Sequence, residues 1–401
     1  MTTSGLSVIP LDQQYVFPTY DRTPIVFVRG QGAELYDENG KCYLDFLGGI
    51  AVNALGYNHP RIVAALADQA AKIIHVCNLF HNEYQAPLAQ KLCSLSGLRR
   101  AFFCNSGTEA IEAAIKVARN HAFRASGGVL HAKHEIVALE NSFHGRTLGA
   151  LSLTGQKKYR DPFEPLLPGV HFVPANDPAA LQAAVNERTC AVIMEPIQGE
   201  GGIHVLSQLF LRTARTLCDH YQSLLIFDEI QCGLGRTGSY LSYQGKGVEP
   251  DLVTLAKPLG LGIPMGALLG TSATRDDFSA GTHGSTFGGN PLACRLSLEF
   301  FRIIEEEGLL ERIRQLGIYF AERLGELKRK FSFVTEVRGE GLIIGMELEF
   351  PGKSIVRAML ERGYVINCTH EKVLRFLPPY IITVAQVDRL IGGLEEVFAA
   401  L

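Results

Sequence analysis

The sequence predicts an α/β fold: a mainly parallel sheet in a large domain, covered by helices on both faces, with a smaller α+β domain beside it. Two observations carry this. Short apolar runs alternate with amphipathic helical stretches through the middle of the chain, and most of the runs are apolar on both faces instead of alternating with polar residues. The tail then changes to short strands paired around Gly turns.

The runs "RAFFC" (100–104), "EIVALE" (135–140), "GVHFVPA" (169–175), "CAVIMEP" (190–196), "LLIFDE" (224–229) and "DLVTLA" (251–256) each read as a buried strand. Between several of them lie helical patterns such as "TEAIEAAIKVARNHAF" (108–123) and "LFLRTARTLCDHYQ" (209–222). This body spans 58–290. Residues 291–330 read as a helical connection. Residues 331–401 form the small domain, with "VTEVRGEGLIIGMELE" as two strands around a Gly turn, "SIVRAMLERG" a helix, "YVINC" and "VLRFL" strands, and a closing helix. Near the start, "AELYDENGKCYLDFLGGI" reads as a hairpin turning at Asn39-Gly40, and residues 1–57 are expected to join the small domain.

Composition excludes several classes. The 401 residues are 47% apolar and 20% charged, as in ordinary globular proteins. The net charge of −3 and the lack of a Lys/Arg block make nucleic acid a poor partner. No apolar run is long enough to cross a bilayer, and "MTTSGLSVIPLDQQYVF" lacks the basic and apolar regions of a signal peptide. Nine cysteines without a C-x-x-C pair read as reduced, buried thiols of a cytoplasmic protein. His131 and His134 lack a third ligand, so no metal is expected. "GLGRTGS" (233–239) lacks the lysine of a nucleotide P-loop.

In an open α/β sheet, ligands sit at the carboxyl ends of the strands. Polar residues crowd there: Asn105 to Glu109, Asn141 to Arg146, Glu195 to Gly202, Asp228 to Gln231, and Lys257. Lys257 closes "LVTLA" before a Pro- and Gly-rich turn. One reading lets it snorkel to the surface; the crowding favours a lysine held in a site. "NSGTEA" fits a capping box, Ser106 at the N-cap and Glu109 three residues on, and Gly107 and Thr108 then present free N–H groups that suit a phosphate. Asp228 and Lys257 end two strands of one sheet. A lysine amine, a carboxylate and a phosphate cradle together imply pyridoxal 5′-phosphate: the amine bonds an aldehyde, and the acid keeps a pyridine nitrogen protonated.

The chain resembles the class III (ornithine-type) aminotransferases of the fold-type I pyridoxal-phosphate enzymes. The resemblance runs over nearly the whole length, through "LDFLGGIAVNALGYNHP", "NSGTEAIEAAIKVAR", "SFHGRTLGALSLTG", "EPIQGEGGI", "FDEIQCGLGRTG", "HGSTFGGNPLAC", "VRGEGLIIGMEL" and "LRFLPP". It implies that Lys257 bonds the cofactor, Asp228 pairs with its ring nitrogen, Gln231 bonds the ring hydroxyl, Phe143 stacks on the ring, and Gly107 and Thr108 hold the phosphate. It also implies that Thr286, with Ser285 beside it, reaches the phosphate of the other subunit in a homodimer. Arg146 and Arg375 would bind substrate carboxylates, with Glu200 masking Arg375 while the amino donor is in place. The implied reaction moves the δ-amino group of N2-acetylornithine to 2-oxoglutarate. Succinylornithine, ornithine, succinyl-diaminopimelate and 4-aminobutyrate are alternative donors, and an aminomutase shares the fold. One departure stands out: "KPLGLGIP" places Pro258 directly after the lysine, so the turn there is expected to differ in shape.

Overall fold

The computed structural model describes residues 8–401. The signal-peptide reading and the expected 1–57 segment both begin on residues 1–7, which lie outside the described residues.

The large sheet has seven strands, in the spatial order Arg100–Cys104, Gly266–Gly270, Leu252–Leu255, Leu224–Asp228, Thr189–Met194, Glu135–Leu139 and Val170–Val173. The four strands Leu252–Leu255, Leu224–Asp228, Thr189–Met194 and Glu135–Leu139 pair in parallel, as does Val170–Val173 at the edge. Gly266–Gly270 runs antiparallel to both of its neighbours. The sequence reading missed this strand. "GALLG" has neither β-branched nor aromatic residues, so it has little strand character of its own. Its glycines are there for close approach: a Cβ on Gly266 would fall 2.3 Å from the Ser106 carbonyl oxygen.

Helices cover the sheet. Gly107–Ala125 buries eight residues, from Ala110 to Ala122, and Gln208–Tyr221 buries Phe210, Leu211, Ala214 and Cys218. The helices Pro291–Glu306 and Leu309–Lys330 then lead to the C-terminal elements.

The C-terminal sheet is antiparallel, in the order Val334–Glu340, Ile343–Leu348, Val373–Phe376 and Asn367–Thr369. The hairpin at Asn39-Gly40 forms as expected: Gly40 adopts φ +81° and its N–H reaches the Asp37 carbonyl at 3.0 Å. "YVINC", read as one strand, serves two sheets. Tyr364–Val365 pairs in parallel with Cys42–Asp45, while Asn367–Thr369 pairs with Val373–Phe376. The chain changes sheets at buried Ile366, so the N-terminal hairpin is tied to the C-terminal elements by backbone bonds.

The thiols correct the sequence reading in part. All nine are free, but Cys42 and Cys77 are exposed and Cys93 and Cys368 half-buried. An apolar run says that a residue has buried neighbours; it does not say that the residue itself faces inward.

Two glycines on one helix give opposite expectations. Gly317 in Leu309–Lys330 packs on the hairpin turn, where a Cβ would lie 2.4 Å from the Gly341 carbonyl oxygen; Gly325 meets only the Arg329 guanidinium at 3.7 Å. Gly325→Ala should gain up to about 1 kcal/mol from helix propensity. Gly317→Ala should instead lose about 1–3 kcal/mol through overpacking. Chemical denaturation of both variants measures the difference in sign.

Candidate active site

A cavity of about 420 Å³ opens at the carboxyl ends of the large-sheet strands, where the strand-end rule places it. Of the residues expected at the site, Gly107, Thr108, Phe143, Arg146, Asp228, Gln231 and Lys257 line it.

Lys257 lies on the floor of this cavity, so the snorkelling alternative is overturned. Among the described residues its amine has no hydrogen-bond or ion-pair partner. Burial pushes its pKa below the usual lysine range, against the opposing pull of Asp228 and Glu200. A larger share of the amine is therefore deprotonated and nucleophilic. Its backbone has φ +44°, a strained conformation for a residue with a side chain. Pro258 is tolerated because it opens the 3-10 turn Lys257–Gly260, where no N–H is needed. The Leu259 N–H closes that turn on the Ala256 carbonyl at 3.0 Å.

Asp228 is buried at the end of its strand. Its Oδ1 accepts the Ile230 N–H at 3.0 Å and the Thr254 hydroxyl at 3.2 Å. Its Oδ2 lies 2.7 Å from His144 Nδ1, where a carboxylate oxygen accepts a hydrogen bond from the ring N–H. His144 Nε2 is buried without a partner.

The helix beginning at Gly107 points its N-terminus at the same cavity. Ser106 Oγ accepts the Glu109 N–H at 3.3 Å, half of the expected capping box. The other half is displaced by one residue, because the Glu109 carboxylate accepts the N–H of Asn105, at 2.6 Å, in place of that of Ser106. The N–H groups of Gly107 and Thr108 stand in the first turn, where the helix supplies no acceptor. Gly107 has to be glycine here, since a Cβ would meet Ile230 at 2.8 Å.

Glu200 and Arg375 pair at 2.5 Å behind Gln231 and do not line the cavity. Arg375 Nη1 also donates to the Gly199 carbonyl at 3.1 Å and to Gln231 Oε1 at 3.2 Å. Burial alone would raise the Glu200 pKa; the Arg375 guanidinium overcomes this and holds it below the usual range. Arg146 is exposed at the rim, its guanidinium 4.0 Å from the Tyr159 ring centroid and 5.4 Å from that of Phe143. Ser285 and Thr286 lie outside the chain's own cavity. Ser285 Oγ accepts from the Asn105 amide at 3.1 Å, and Thr286 is exposed.

Three features of the site had no role in the sequence reading. His144 and Glu195 both stand among the polar residues that follow strands, which was their only signal. Glu195 is buried; its Oε2 accepts the Phe143 N–H at 3.0 Å and its Oε1 the Gly199 N–H at 3.2 Å. The third is the backbone of Gly48–Ala51, where all four residues have φ between 57° and 64°. For Ile50 and Ala51 such left-handed geometry costs about 1–2 kcal/mol each. The turn delivers Val52 to the cavity wall.

Comparison with known proteins agrees with this geometry. The family model "Aminotransferase class-III" matches residues 15–398, so the chain belongs to the class III aminotransferases. An acetylornithine aminotransferase of Methanocaldococcus jannaschii is 49% identical over 97% of both chains. A succinylornithine transaminase of Yersinia pseudotuberculosis is 44% identical over 96% of this chain and 95% of its own. The crystal structure of an ornithine aminotransferase from Toxoplasma gondii superposes with a TM-score of 0.93 at 34% identity, covering 98% of this chain and 94% of the other. The fold is that of the fold-type I pyridoxal-phosphate enzymes, and the cofactor is pyridoxal 5′-phosphate. The residues present fit that group: free N–H donors at a helix N-terminus, a buried carboxylate, an aromatic wall, and an unpaired amine on one cavity.

Glu195 makes the site sensitive to pH. Burial raises its carboxyl to about 7, opposed by His144 and aided by the charge of Asp228. A raised acid holds an extra proton in the folded state, so folding stability falls as pH rises through the window from the ordinary carboxylate range to about 7. The cost above that window is of order 3 kcal/mol. Glu195→Gln should flatten this part of the stability profile, as measured by thermal unfolding of cofactor-free protein at pH 5, 6.5 and 8.

Proposed function

We propose that this aminotransferase takes the δ-amino group of N2-acetylornithine and passes it to 2-oxoglutarate, leaving N-acetylglutamate 5-semialdehyde and glutamate, a step of arginine biosynthesis. The observation that carries the reading is the unpaired, half-buried Lys257 on a cavity that also holds Asp228, with the Glu200–Arg375 pair behind Gln231. The choice of acyl group rests on relatives named acetylornithine aminotransferase at 41–49% identity over nearly the whole chain. The relative named succinylornithine transaminase supports one alternative donor.

Bound pyridoxal phosphate supplies an aldehyde that takes up the amino group and a ring that accepts the electron pair of the broken C–H bond. Lys257 holds the cofactor through that aldehyde. With the cofactor bound, the Lys257 amine would serve as the base that takes the proton from the substrate carbon and as the acid that gives it back, a task suited to a depressed pKa. Asp228, oriented by His144 and Thr254, keeps the ring nitrogen protonated. Gln231 bonds the ring hydroxyl, Phe143 covers one ring face, and Gly107 and Thr108 hold the phosphate. Arg146 at the rim takes a carboxylate of the substrate. Arg375 takes the α-carboxylate of glutamate or 2-oxoglutarate when Glu200 releases it. Glu200 masks Arg375 again for the other donor, so that the donor's α end is not captured.

The active form is a homodimer in which Thr286, with Ser285 beside it, reaches the partner's phosphate site. Exposed apolar side chains support an interface here: Asn78 bonds the Ser285 and Gly288 carbonyls, and beside them Leu79, Phe80 and Phe287 are 88%, 68% and 59% exposed. Nine free thiols favour a reducing cytoplasm, and among the described residues no helix is long and apolar enough to cross a membrane.

Half-reactions with a panel of ω-amino compounds, followed by the cofactor's visible absorption, test the function. N2-acetylornithine should react fastest, and turnover should require 2-oxoglutarate; turnover without it would instead indicate an aminomutase. Lys257→Ala should lower turnover at least ~10²–10⁴-fold. Arg375→Ala should raise KM for 2-oxoglutarate about 10- to 100-fold, as expected for a lost charge-assisted hydrogen bond. Sedimentation should give the mass of two chains, and Leu79→Asp with Phe80→Asp should reduce it to one.

A further inference from the structure

We propose that Glu195 is a positioning residue whose carboxylate spans the wall at Phe143 and the gate at Glu200–Arg375 and keeps the two in register. The proposal rests on the reading given above, in which those two features act on cofactor and substrate.

Glu195 emerges from the carboxyl end of Thr189–Met194, the strand between Leu224–Asp228 and Glu135–Leu139. Its two oxygens face two different loops, one at the Phe143 N–H and one at the Gly199 N–H. No basic side chain is bonded to it among the described residues; the ionisable groups around it are Asp228, His144, Lys257 and Cys232. An anionic carboxylate accepts at both oxygens. An amide turns an NH2 towards one of the two N–H groups and loses that bond, and a protonated acid accepts there only weakly through its hydroxyl oxygen.

Both bonds lead to the site. The Phe143 N–H belongs to the residue that forms the cavity wall. The Gly199 carbonyl accepts from Arg375 Nη1 at 3.1 Å, and Glu200, the next residue, holds that same nitrogen at 2.5 Å. Gly199 also has no room to adjust, because a Cβ there would lie 2.0 Å from Gln231 Oε1. A displacement of Gly199 therefore reaches two of the acceptors that hold Arg375. Burial raises the Glu195 carboxyl to about 7, and its ionised form makes the stronger double contact.

The test uses holoenzyme and compares two half-reactions by single-turnover kinetics: the ω-amino donor, which needs Arg375 masked, and glutamate, which needs it free. Glu195→Gln keeps the shape and loses one acceptor. The donor half-reaction should slow about tenfold relative to the glutamate half-reaction, the equivalent of about 1.4 kcal/mol. The visible circular dichroism of the bound cofactor should change as Phe143 shifts. Glu195→Asp keeps the charge but is one methylene short, and should show the same change of ratio; it is the variant to read should the Gln variant not fold. A merely structural carboxylate would lower the melting temperature and slow both halves equally, with the dichroism unchanged. That result, or a ratio shifted the opposite way, overturns the proposal. Failure of the functional reading would appear separately, as no half-reaction in the unaltered enzyme.

Discussion

A half-buried amine with no bonded counterion among the described residues is the constraint on which the rest of this structure depends. Partial desolvation disfavours an ammonium at Lys257, and no side chain among the described residues is bonded to it. The fold meets the constraint by placing the amine at a strand end, on a cavity, with the carboxylates of Asp228 and Glu200 near enough to oppose the shift but not paired with it. The strained backbone at Lys257, and Pro258 at the start of the following turn, aim the side chain at the cavity.

Around that amine, neighbouring loops are held at fixed separations by buried polar groups. Arg375 joins the C-terminal sheet to Gly199, Glu200 and Gln231 of the large sheet's loops, and the Thr369 hydroxyl adds a bond to the Glu200 carbonyl at 2.6 Å. Arg236 does similar work deeper in the molecule. It is fully buried, donates to the Leu342 carbonyl at 3.2 Å and to that of Pro378, and lies 4.6 Å from the Tyr380 ring centroid. Burial depresses its pKa, since no carboxylate balances the charge. Such ties cost solvation energy but are directional, and loops that carry functional side chains need direction more than they need apolar area.

The same reasoning explains the left-handed turn at Gly48–Ala51. Its backbone bonds, Ala51 N–H to Leu47 O and Val52 N–H to Gly48 O, offset part of the strain. Asp45 anchors the entry by accepting the N–H groups of Leu47 and Gly48 at 2.8 and 3.0 Å. Strain held in place by surrounding bonds next to a cavity is characteristic of functional sites.

Much of this was legible in the chain. Apolar runs marked all but one of the large-sheet strands, and the four central ones are buried at every residue, as a strand with no reason to alternate should be; the edge strands Arg100–Cys104 and Val170–Val173, read as buried, are only partly so, because an edge strand lacks a covering neighbour. Seven residues of the expected site share one cavity because the carboxyl ends of the parallel strands lie along one edge of the sheet, although the strands are not arranged there in sequence order. The sequence by itself thus determined the fold class, the place of the cavity and the meeting of Lys257 and Asp228 on it. Only the tertiary structure decided what depends on contacts between distant segments: the antiparallel Gly266–Gly270 strand, the division of Tyr364–Thr369 between two sheets, the shifted bond of Glu109, and the hydrogen bonds of His144 and Glu195. A hydrogen bond across 52 or 84 residues leaves no local pattern, because neither partner constrains its own neighbours in sequence.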